Sequence, residues 1–315
     1  MYAIGIDLGG TNIKAALVEK EKGIVEKISI PTEADRGKSH VFDRIGQAVG
    51  QLLEMGQVSP VGIGMGTPGV VSLDQRTVSN PPNLKGWEIE NVADEIESRT
   101  GLSCIIENDA NLAALGSSRY GIGKDFDSLI MLTLGTGVGG GIIFNRGLFR
   151  GTTGSAAELG HVTIDYNGPM SNSNTRGGIE AYLGQRFLSR FAVERIRKQP
   201  DNPLFKQFEG QFDSLEPLHL HEAAERGNEL AIDILRSTGE KLGYAIVNYI
   251  HVLDIRKVVI SGGVAKAGDW ILEPARKSAL SYLMPPYHDG FEIVYEPLGN
   301  EAALYGASSL AFEML

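Results

Sequence analysis

The stretch Asp7-Leu8-Gly9-Gly10-Thr11-Asn12-Ile13-Lys14 connects the first two apolar runs of the sequence, Tyr2 to Asp7 and Ile13 to Val18. An acidic residue ends the first predicted strand. The turn after it lacks bulky side chains, so its backbone N–H groups can approach phosphate oxygens closely. Thr11 could donate its hydroxyl group to the same phosphates, and Asp7 could hold a hydrated Mg²⁺ ion. An ordinary Gly-Gly hairpin turn explains the stretch equally well.

The residues that follow predict an antiparallel meander and then alternating helices and strands. A third apolar run, Ile24 to Ile30, comes after a short charged turn, and three strands joined by tight turns are typical of a meander. Gly101 is the expected C-terminal cap of a helix over Val92–Thr100. Apolar spacing predicts the elements that follow the meander. These are helices over Lys38–Met55, Val92–Thr100 and Ala110–Tyr120, and strands over Val61–Met65 and Ser103–Ile106.

The opening pattern returns near the middle of the chain. Leu129 to Leu134 predicts a strand, Gly135-Thr136-Gly137 a turn, and Gly141 to Phe144 a further strand. The run contains a literal G-x-G-x-x-G, but dinucleotide binding requires a helix after the glycines, and here a β-rich run follows. A hairpin that cradles phosphates remains as the functional interpretation. We therefore expect a second domain that is structurally similar to the first.

The remaining pattern completes an α/β fold of two domains. A mostly helical stretch from Gly178 to Leu253 is followed by further predicted elements, which are strands over Lys257–Ile260 and Phe291–Tyr295 and a helix over Glu301–Met314. We expect a small domain over 1–118, completed by the C-terminal helix 301–315, and a large domain over 119–300.

Composition narrows the class of protein. The 315 residues include 42% apolar residues and carry a net charge of -10 without a long basic stretch, which argues against binding to nucleic acid. A single cysteine, Cys104, fits a reducing compartment, and we expect it to be a buried small hydrophobe. The sequence shows neither a signal-peptide pattern nor an apolar run of ~18 residues. We therefore expect a cytoplasmic protein with no membrane partner.

Asn108 and Asp109 follow an apolar strand and precede a predicted helix. Ligands of α/β folds collect at the carboxyl ends of strands, where an aspartate is well placed to accept a proton during phosphoryl transfer. The alternative is that Asp109 only caps the helix, and in isolation this is the better interpretation.

Three further polar residues have both a functional and an ordinary interpretation. Glu158 and His161, three residues apart, could hydrogen-bond a polyol, or His161 could ligate a metal ion; loop residues of these types are more often plain surface residues. Glu180 by itself is an acid at a helix start, favoured there by the helix dipole.

Taken together, these motifs resemble the ROK family (repressors, open reading frames and sugar kinases) over nearly the whole chain. Asp7 to Thr11 and Leu134 to Gly141 look like its two phosphate motifs, and Ser261-Gly262-Gly263-Val264 looks like its adenosine-side turn. The resemblance implies an actin-like, ribonuclease-H-like ATPase fold with a cleft between its two domains. It implies binding of ATP and Mg²⁺ at Asp7, Gly9, Gly10, Thr11, Lys14, Gly135, Thr136, Gly137, Gly262 and Gly263.

The resemblance also implies a reaction, the transfer of the ATP γ-phosphate to the 6-hydroxyl group of a hexose with Asp109 as general base. The residues at the family's sugar-binding positions are Asn83, Asn108, Asp109, Glu158, His161 and Glu180. On this interpretation a branched side chain at Gly137 would occupy the space of a phosphate oxygen, so Gly137→Val should raise the KM for ATP and leave sugar affinity nearly unchanged. The family further suggests a homodimer.

The sequence departs from the family at its zinc site. The family pairs the histidine of Glu-x-Gly-His with three cysteines, but Ser171, Ser173 and Gly178 occupy the cysteine positions here. Serine is a poor zinc ligand and glycine supplies no side chain, so we expect no structural zinc.

Glucose is the first expectation for the hexose, and a kinase for N-acetylmannosamine, N-acetylglucosamine, fructose or allose is the alternative within the same class. The alternative from another class is a sugar-sensing transcriptional regulator. Family repressors carry a winged helix-turn-helix before the first phosphate motif, and here that motif's strand begins at about Tyr2. The position of this strand favours the kinase over the transcriptional regulator.

Overall fold

The computed structural model describes residues 1–314, so that residue 315 of the predicted segment 301–315 lies outside the described residues. Its strands are β1 (Tyr2–Leu8), β2 (Asn12–Glu19), β3 (Gly23–Pro31), β4 (Ile63–Thr67), β5 (Val70–Val71), β6 (Thr77–Ser79), β7 (Ile89–Asn91), β8 (Cys104–Asn108), β9 (Leu129–Leu134), β10 (Val138–Phe144), β11 (Gly147–Leu148), β12 (Lys257–Ser261) and β13 (Glu292–Tyr295). Its α-helices are α1 (Lys38–Gly56), α2 (Val92–Thr100), α3 (Asp109–Tyr120), α4 (Glu180–Leu183), α5 (Gln185–Ile196), α6 (Pro203–Phe208), α7 (Pro217–Glu225), α8 (Glu229–Leu253), α9 (Asp269–Tyr282) and α10 (Glu301–Phe312).

The first sheet has the strand order β3-β2-β1-β4-β8. Strand β2 pairs antiparallel with β1 and with β3, which confirms the predicted meander. Strands β4 and β8 then run parallel to β1. The last strand extends two residues beyond the predicted end at Ile106, because Glu107 and Asn108 continue the ladder opposite Gly66 and Thr67. The carboxyl ends of three parallel strands therefore meet at one edge.

The second sheet repeats this arrangement with the order β11-β10-β9-β12-β13. Strand β12 pairs in parallel with β9 and with β13, and β10 pairs antiparallel with β11. In each sheet the strand that comes first in the sequence, β1 or β9, lies in the middle. The next two strands of that sheet lie on one side of it, and the last two, which run parallel to it, lie on the other. The repeated pattern at Leu129 thus corresponds to a repeated topology, as predicted.

Apolar residues cover both faces of the first sheet. On one face, Ile4, Ile6 and Leu8 of β1 belong to a core that also includes the apolar residues of α1 and α2. On the other face, Ala3 packs with Leu304 and Ala311 of α10. This alternation follows from the two-residue period of a strand. Cys104 lies in the first core and is 1% exposed, as expected, and burial raises the pKa of its thiol.

Helix α10 approaches the first sheet closely because two glycines face it. A Cβ atom on Gly64 would lie 1.7 Å from the carbonyl oxygen of Ala307, and one on Gly5 would lie 2.2 Å from that of Leu304. Neither position has room for a side chain, since the opposing atoms belong to backbone. The glycines of β1 and β4 are thus required for packing.

The chain divides into two compact units. The first consists of Met1–Ser128, Gly141–Ala157 and Glu296–Leu315, and the second of Leu129–Gly140 and Glu158–Tyr295. The predicted division differs from these units at three segments. It assigns to the large domain the residues 119–128, 141–157 and 296–300, which belong to the first unit. The predicted division itself stays a prediction.

Two features depart from the predicted elements. The strands β5, β6 and β7 form a small antiparallel sheet that was not predicted, and Asn80–Leu84 lies in the loop between β6 and β7. These strands have only two or three residues, too few to show an alternating pattern. Helix α9 was not predicted, and Pro274 lies inside it. Within residues 1–314, no helix is long and apolar enough to cross a bilayer.

Candidate active site

The carboxyl edge of the first sheet gathers several predicted site residues. Asp7 pairs with Gly66 at the end of β4, and Thr67 pairs with Asn108 at the end of β8. Because neighbouring strands are about 4.8 Å apart, β1 and β8 are separated by roughly 10 Å. Asp7 and Asp109 therefore leave the same edge at a separation that accommodates a phosphate group and an acceptor hydroxyl.

The first glycine turn is held by hydrogen bonds at its base. Gly9 N–H donates to the carbonyl oxygen of Asn12 at 3.0 Å, and Thr32 Oγ1 donates to the carbonyl oxygen of Gly9 at 2.7 Å. Lys14 Nζ lies 3.3 Å from Asp7 Oδ2, in an ion pair on adjacent strands. The turn is thus fixed before any ligand binds, with Thr32 as a support that the sequence motif did not include.

Gly10 has a packing reason of its own. A Cβ atom there would lie 3.0 Å from Cβ of Asn83, and Asn83 itself has a left-handed φ of 69°. The predicted sugar-binding asparagine therefore packs directly against the first turn.

Asn108, rather than Asp109, is the N-cap of α3. Its Oδ1 accepts hydrogen bonds from the backbone N–H groups of Ala110 and Asn111, and its Nδ2 donates to the carbonyl oxygen of Gly69 at 3.2 Å. Asp109 is the first residue of the helix, its side chain is exposed, and its Oδ1 also accepts from the Ala110 N–H at 2.9 Å. The alternative interpretation, that Asp109 is only the N-cap of α3, is wrong, because Asn108 is the N-cap.

Glu107 lies directly below this pair and is fully buried. Its Oε1 accepts from Asn108 N–H and from Asn111 Nδ2, and its Oε2 accepts from Gln75 Nε2. Arg150 Nε lies 2.6 Å from Oε2. The Nε–H group itself is not aimed at the carboxylate, so charge attraction is what holds this ion pair. This support could not be predicted, since nothing in the local sequence marks Glu107 and Arg150, 43 positions apart, as partners.

The second glycine turn and the adenosine-side turn leave the same edge of the second sheet. Ser261 of β12 pairs with Thr133 of β9. Gly262 has a φ of 99°, and a Cβ atom there would lie 2.3 Å from the carbonyl oxygen of Leu134, so the close approach of the two turns requires glycine. Next to Gly263 is a cavity of about 240 Å³, lined also by Pro217, Leu218, His221, Val264 and Lys266.

Gly137 faces a predicted sugar-binding residue. A Cβ atom on Gly137 would lie 2.4 Å from Glu180 Oε2, and Val138 N–H donates to the same oxygen at 3.3 Å. A side chain at Gly137 would therefore meet Glu180 first, a contact that the expectation based on phosphates alone did not include. By contrast, a Cβ atom on Gly135 would meet nothing within 4 Å.

Glu158 precedes a single turn of 3-10 helix over Leu159–His161, and His161 ends it. His161 Nε2 lies 3.6 Å from Glu158 Oε2, and the Glu158 side chain is 58% exposed. On its other side, His161 Nδ1 lies 2.9 Å from Ser173 Oγ. The two residues therefore lie together, with carboxylate oxygens open to a ligand.

Hydroxyl groups surround His161 where the family has its cysteine ligands. Ser173 Oγ lies 2.8 Å from Ser171 Oγ and 3.3 Å from Thr175 Oγ1, while Gly178 contributes no side chain. Zinc sites of this kind need nitrogen and thiolate ligands, so the residues present do not fit a structural zinc ion. Among residues 1–314 there is no cluster of three or more histidine, cysteine, aspartate or glutamate side chains that could hold a metal ion.

Known proteins resemble this chain along nearly its whole length. The model of the ROK family matches residues 3–314. A glucokinase of Thermotoga maritima is 35% identical over 312 residues, covering 99% of this chain and 98% of that protein. The crystal structure of a ROK family glucokinase from Streptomyces griseus in complex with glucose and AMPPNP superposes with a TM-score of 0.85 at 34% identity, covering 99% of this chain and 100% of that one. A xylose repressor of Bacillus subtilis is 27% identical, covering 99% of this chain but 77% of that protein.

These similarities confirm the expected fold, which is the actin-like, two-domain α/β fold. They extend over almost the whole chain and include both glycine turns and the segment from Glu158 to Glu180.

Proposed function

The chain belongs to the ROK family, and from this premise we propose that it is an ATP-dependent hexose kinase that phosphorylates the 6-hydroxyl group of glucose. The observation that carries the proposal is identity of 33–35% with glucokinases along nearly the full chain. The carboxyl edge of the first sheet, with Asp7 near the end of β1 and Asp109 directly after the parallel strand β8, supports it independently.

In the proposed reaction Asp109 acts as the general base. As the 6-hydroxyl oxygen bonds to the γ-phosphorus of ATP, the bond from this phosphorus to the β,γ-bridging oxygen breaks and ADP leaves. The hydroxyl proton passes to the carboxylate of Asp109. Asp109 is exposed at the start of α3, and the three hydrogen bonds of Asn108 fix the backbone beside it.

The hexose is held by hydrogen bonds from several segments. In this proposal its hydroxyl groups bind to Asn83, Asn108, Glu158, His161 and Glu180. The Oδ1 of Asn108 is taken up by the helix cap, so this residue has only its amide N–H left to offer. The orientation set by such bonds supplies much of the rate enhancement in phosphoryl transfer.

The nucleotide binds at the glycine turns, with its phosphates near Gly9, Gly10, Thr11, Gly135 and Thr136. The cavity beside Gly263 is proposed to take the adenosine. A carboxylate together with phosphate oxygens and water is the ligand set that Mg²⁺ prefers, so Asp7 fits an ion carried by ATP. Such an ion would neutralise charge on the phosphates, while Lys14 keeps the Asp7 carboxylate in place.

A panel of hexoses tests the proposal. We expect ATP-dependent formation of ADP with glucose at a higher kcat/KM than with N-acetylmannosamine, N-acetylglucosamine, fructose or allose, measured with a coupled ADP assay. The product should carry phosphate at its 6-position by NMR. No turnover of any hexose, together with specific DNA binding in a gel-shift assay, would contradict the proposal and favour the regulator to which the xylose repressor similarity points.

Metal analysis provides a second test. We expect purified, tag-free protein to contain far less than one zinc ion per chain, because hydroxyl groups replace the thiolates around His161. Activity should be lost in EDTA, since ATP needs Mg²⁺, and should return fully on addition of excess Mg²⁺ alone. Near-stoichiometric zinc that leaves together with activity, and is needed to restore it, would contradict this reading of the site.

We further propose a cytoplasmic location and a homodimer. One buried cysteine suits a reducing compartment. The homodimer rests on the family resemblance, and light scattering of the purified protein would give its mass directly.

A further inference from the structure

The second glycine turn carries an unusual set of contacts with the segment that holds Glu180. Val138 N–H donates to Glu180 Oε2, and Gln185 N–H donates to the carbonyl oxygen of Gly135 at 2.9 Å. Between these two bonds, a Cβ atom on Gly184 would lie 3.1 Å from the carbonyl oxygen of Thr136. Helix α4 is therefore fixed to the turn at both of its ends.

From these contacts we infer that Gly137 is a positioning residue for the hexose-binding carboxylate of Glu180, so that the second glycine turn serves the sugar as well as the nucleotide. The inference rests on the proposed function. The Glu180 carboxylate lies in the space that any side chain at position 137 would need, and the adjacent Val138 N–H holds one of its oxygens there. The other oxygen, Oε1, remains for a hexose hydroxyl group.

The first turn shows the same relation in the other unit. There, the space beside Gly10 is limited by Asn83, which is also a predicted hexose ligand. In both turns, a glycine expected from phosphate binding alone also makes room for a sugar-binding side chain. Two occurrences in independent sheets argue against an accident of packing at Gly137.

The effect of replacing a glycine depends on whether the atom that a new Cβ would meet belongs to a side chain or to the backbone. At Gly137 the opposing atom is the end of a flexible side chain, so an added methyl group can be accommodated by moving the Glu180 carboxylate. At Gly160, by contrast, a Cβ atom would lie 2.0 Å from the backbone carbonyl oxygen of Val138, which cannot move without distorting β10. Gly137→Ala should therefore fold normally and lose function specifically.

The test is calorimetric binding of glucose without nucleotide to Gly137→Ala and to the matched variant Gly135→Ala. A hydrogen bond to a charged group contributes about 1.5–3 kcal/mol, so a displaced carboxylate should raise the Kd of Gly137→Ala for glucose by about 10- to 100-fold. Gly135→Ala should bind glucose with the wild-type Kd, because its methyl group meets no protein atom within 4 Å. Adding Glu180→Ala to Gly137→Ala should leave binding equal to that of Glu180→Ala alone.

Each outcome separates the inference from the function on which it rests. A wild-type protein that binds no hexose contradicts the proposed function. An unchanged glucose Kd in Gly137→Ala, or additive losses in the double variant, would overturn the inference alone. If Gly137→Ala proves too unstable to measure, the double variant should melt like Glu180→Ala, since the opposing carboxylate is gone. A double variant as unstable as Gly137→Ala would also overturn the inference.

Discussion

Replacing Asp109 by asparagine should lower kcat for glucose phosphorylation by ~10²–10⁴-fold, the usual range for loss of a general base, while the Kd for glucose changes little. Asparagine keeps the shape of the side chain and can still accept a hydrogen bond from the Ala110 N–H, but it cannot take up the hydroxyl proton. Steady-state kinetics with the coupled ADP assay gives kcat, and calorimetry without nucleotide gives the Kd.

Asp269→Asn is the matched control for this variant. Asp269 is also an exposed first residue of a helix, α9, so both substitutions remove the same charge from a helix N-terminus, worth about 0.3–1 kcal/mol of stability. We expect similar small changes in melting temperature for the two variants and a loss of kcat only at position 109. Near-normal kcat in Asp109→Asn would show that the residue acts on the helix alone.

The fold was predictable because its signals are local. The strands around Asp7, the helix over Lys38–Met55 and the return of the pattern at Leu129 follow from apolar spacing and turn residues, and the structure confirms them. The small sheet of β5, β6 and β7 was missed because strands of two or three residues carry no period. Their pairing depends on the rest of the fold.

The candidate site was predictable only in part, for a similar reason. Motifs identified the polar residues near strand ends, yet they could not show what each side chain contacts. The pattern around Asn108 and Asp109 favoured Asp109 as the helix cap, whereas the contacts show that Asn108 is the cap. That Asn108 also binds the hexose stays a prediction. Sequence reasoning explained Gly137 by phosphates alone, whereas the nearest atom is in Glu180. Contacts between residues far apart in sequence decide such points, and a single sequence does not show them.

The ion pair of Glu107 and Arg150 leads to the second large expected effect. Replacing Arg150 by methionine should lower the free energy of unfolding of the first unit by about 3–5 kcal/mol, because the fully buried Glu107 carboxylate loses its compensating charge. The variant also loses three hydrogen bonds from the guanidinium group, to the carbonyl oxygens of Val71 at 3.5 Å, Ser72 at 2.7 Å and Leu73 at 2.9 Å. Urea denaturation followed by far-UV circular dichroism and by tryptophan fluorescence, to which Trp87 of the first unit and Trp270 of the second both contribute, measures the loss.

Two further variants show whether the buried charge is the cause. Arg146→Met removes an arginine whose pair with Asp127, at 2.7 Å, is exposed on both sides, and surface pairs contribute only about 0–1 kcal/mol. Adding Glu107→Gln to Arg150→Met should restore part of the lost stability, because a neutral amide oxygen can still accept the hydrogen bonds of Asn108 and Asn111 without a charge to compensate. If the double variant is less stable than Arg150→Met alone, the uncompensated charge is not what destabilises the protein, and the loss comes from the loop around Ser72. Because Glu107 also fixes the backbone N–H of Asn108, the double variant, with the fold retained, should keep the position of Asp109 and most of kcat.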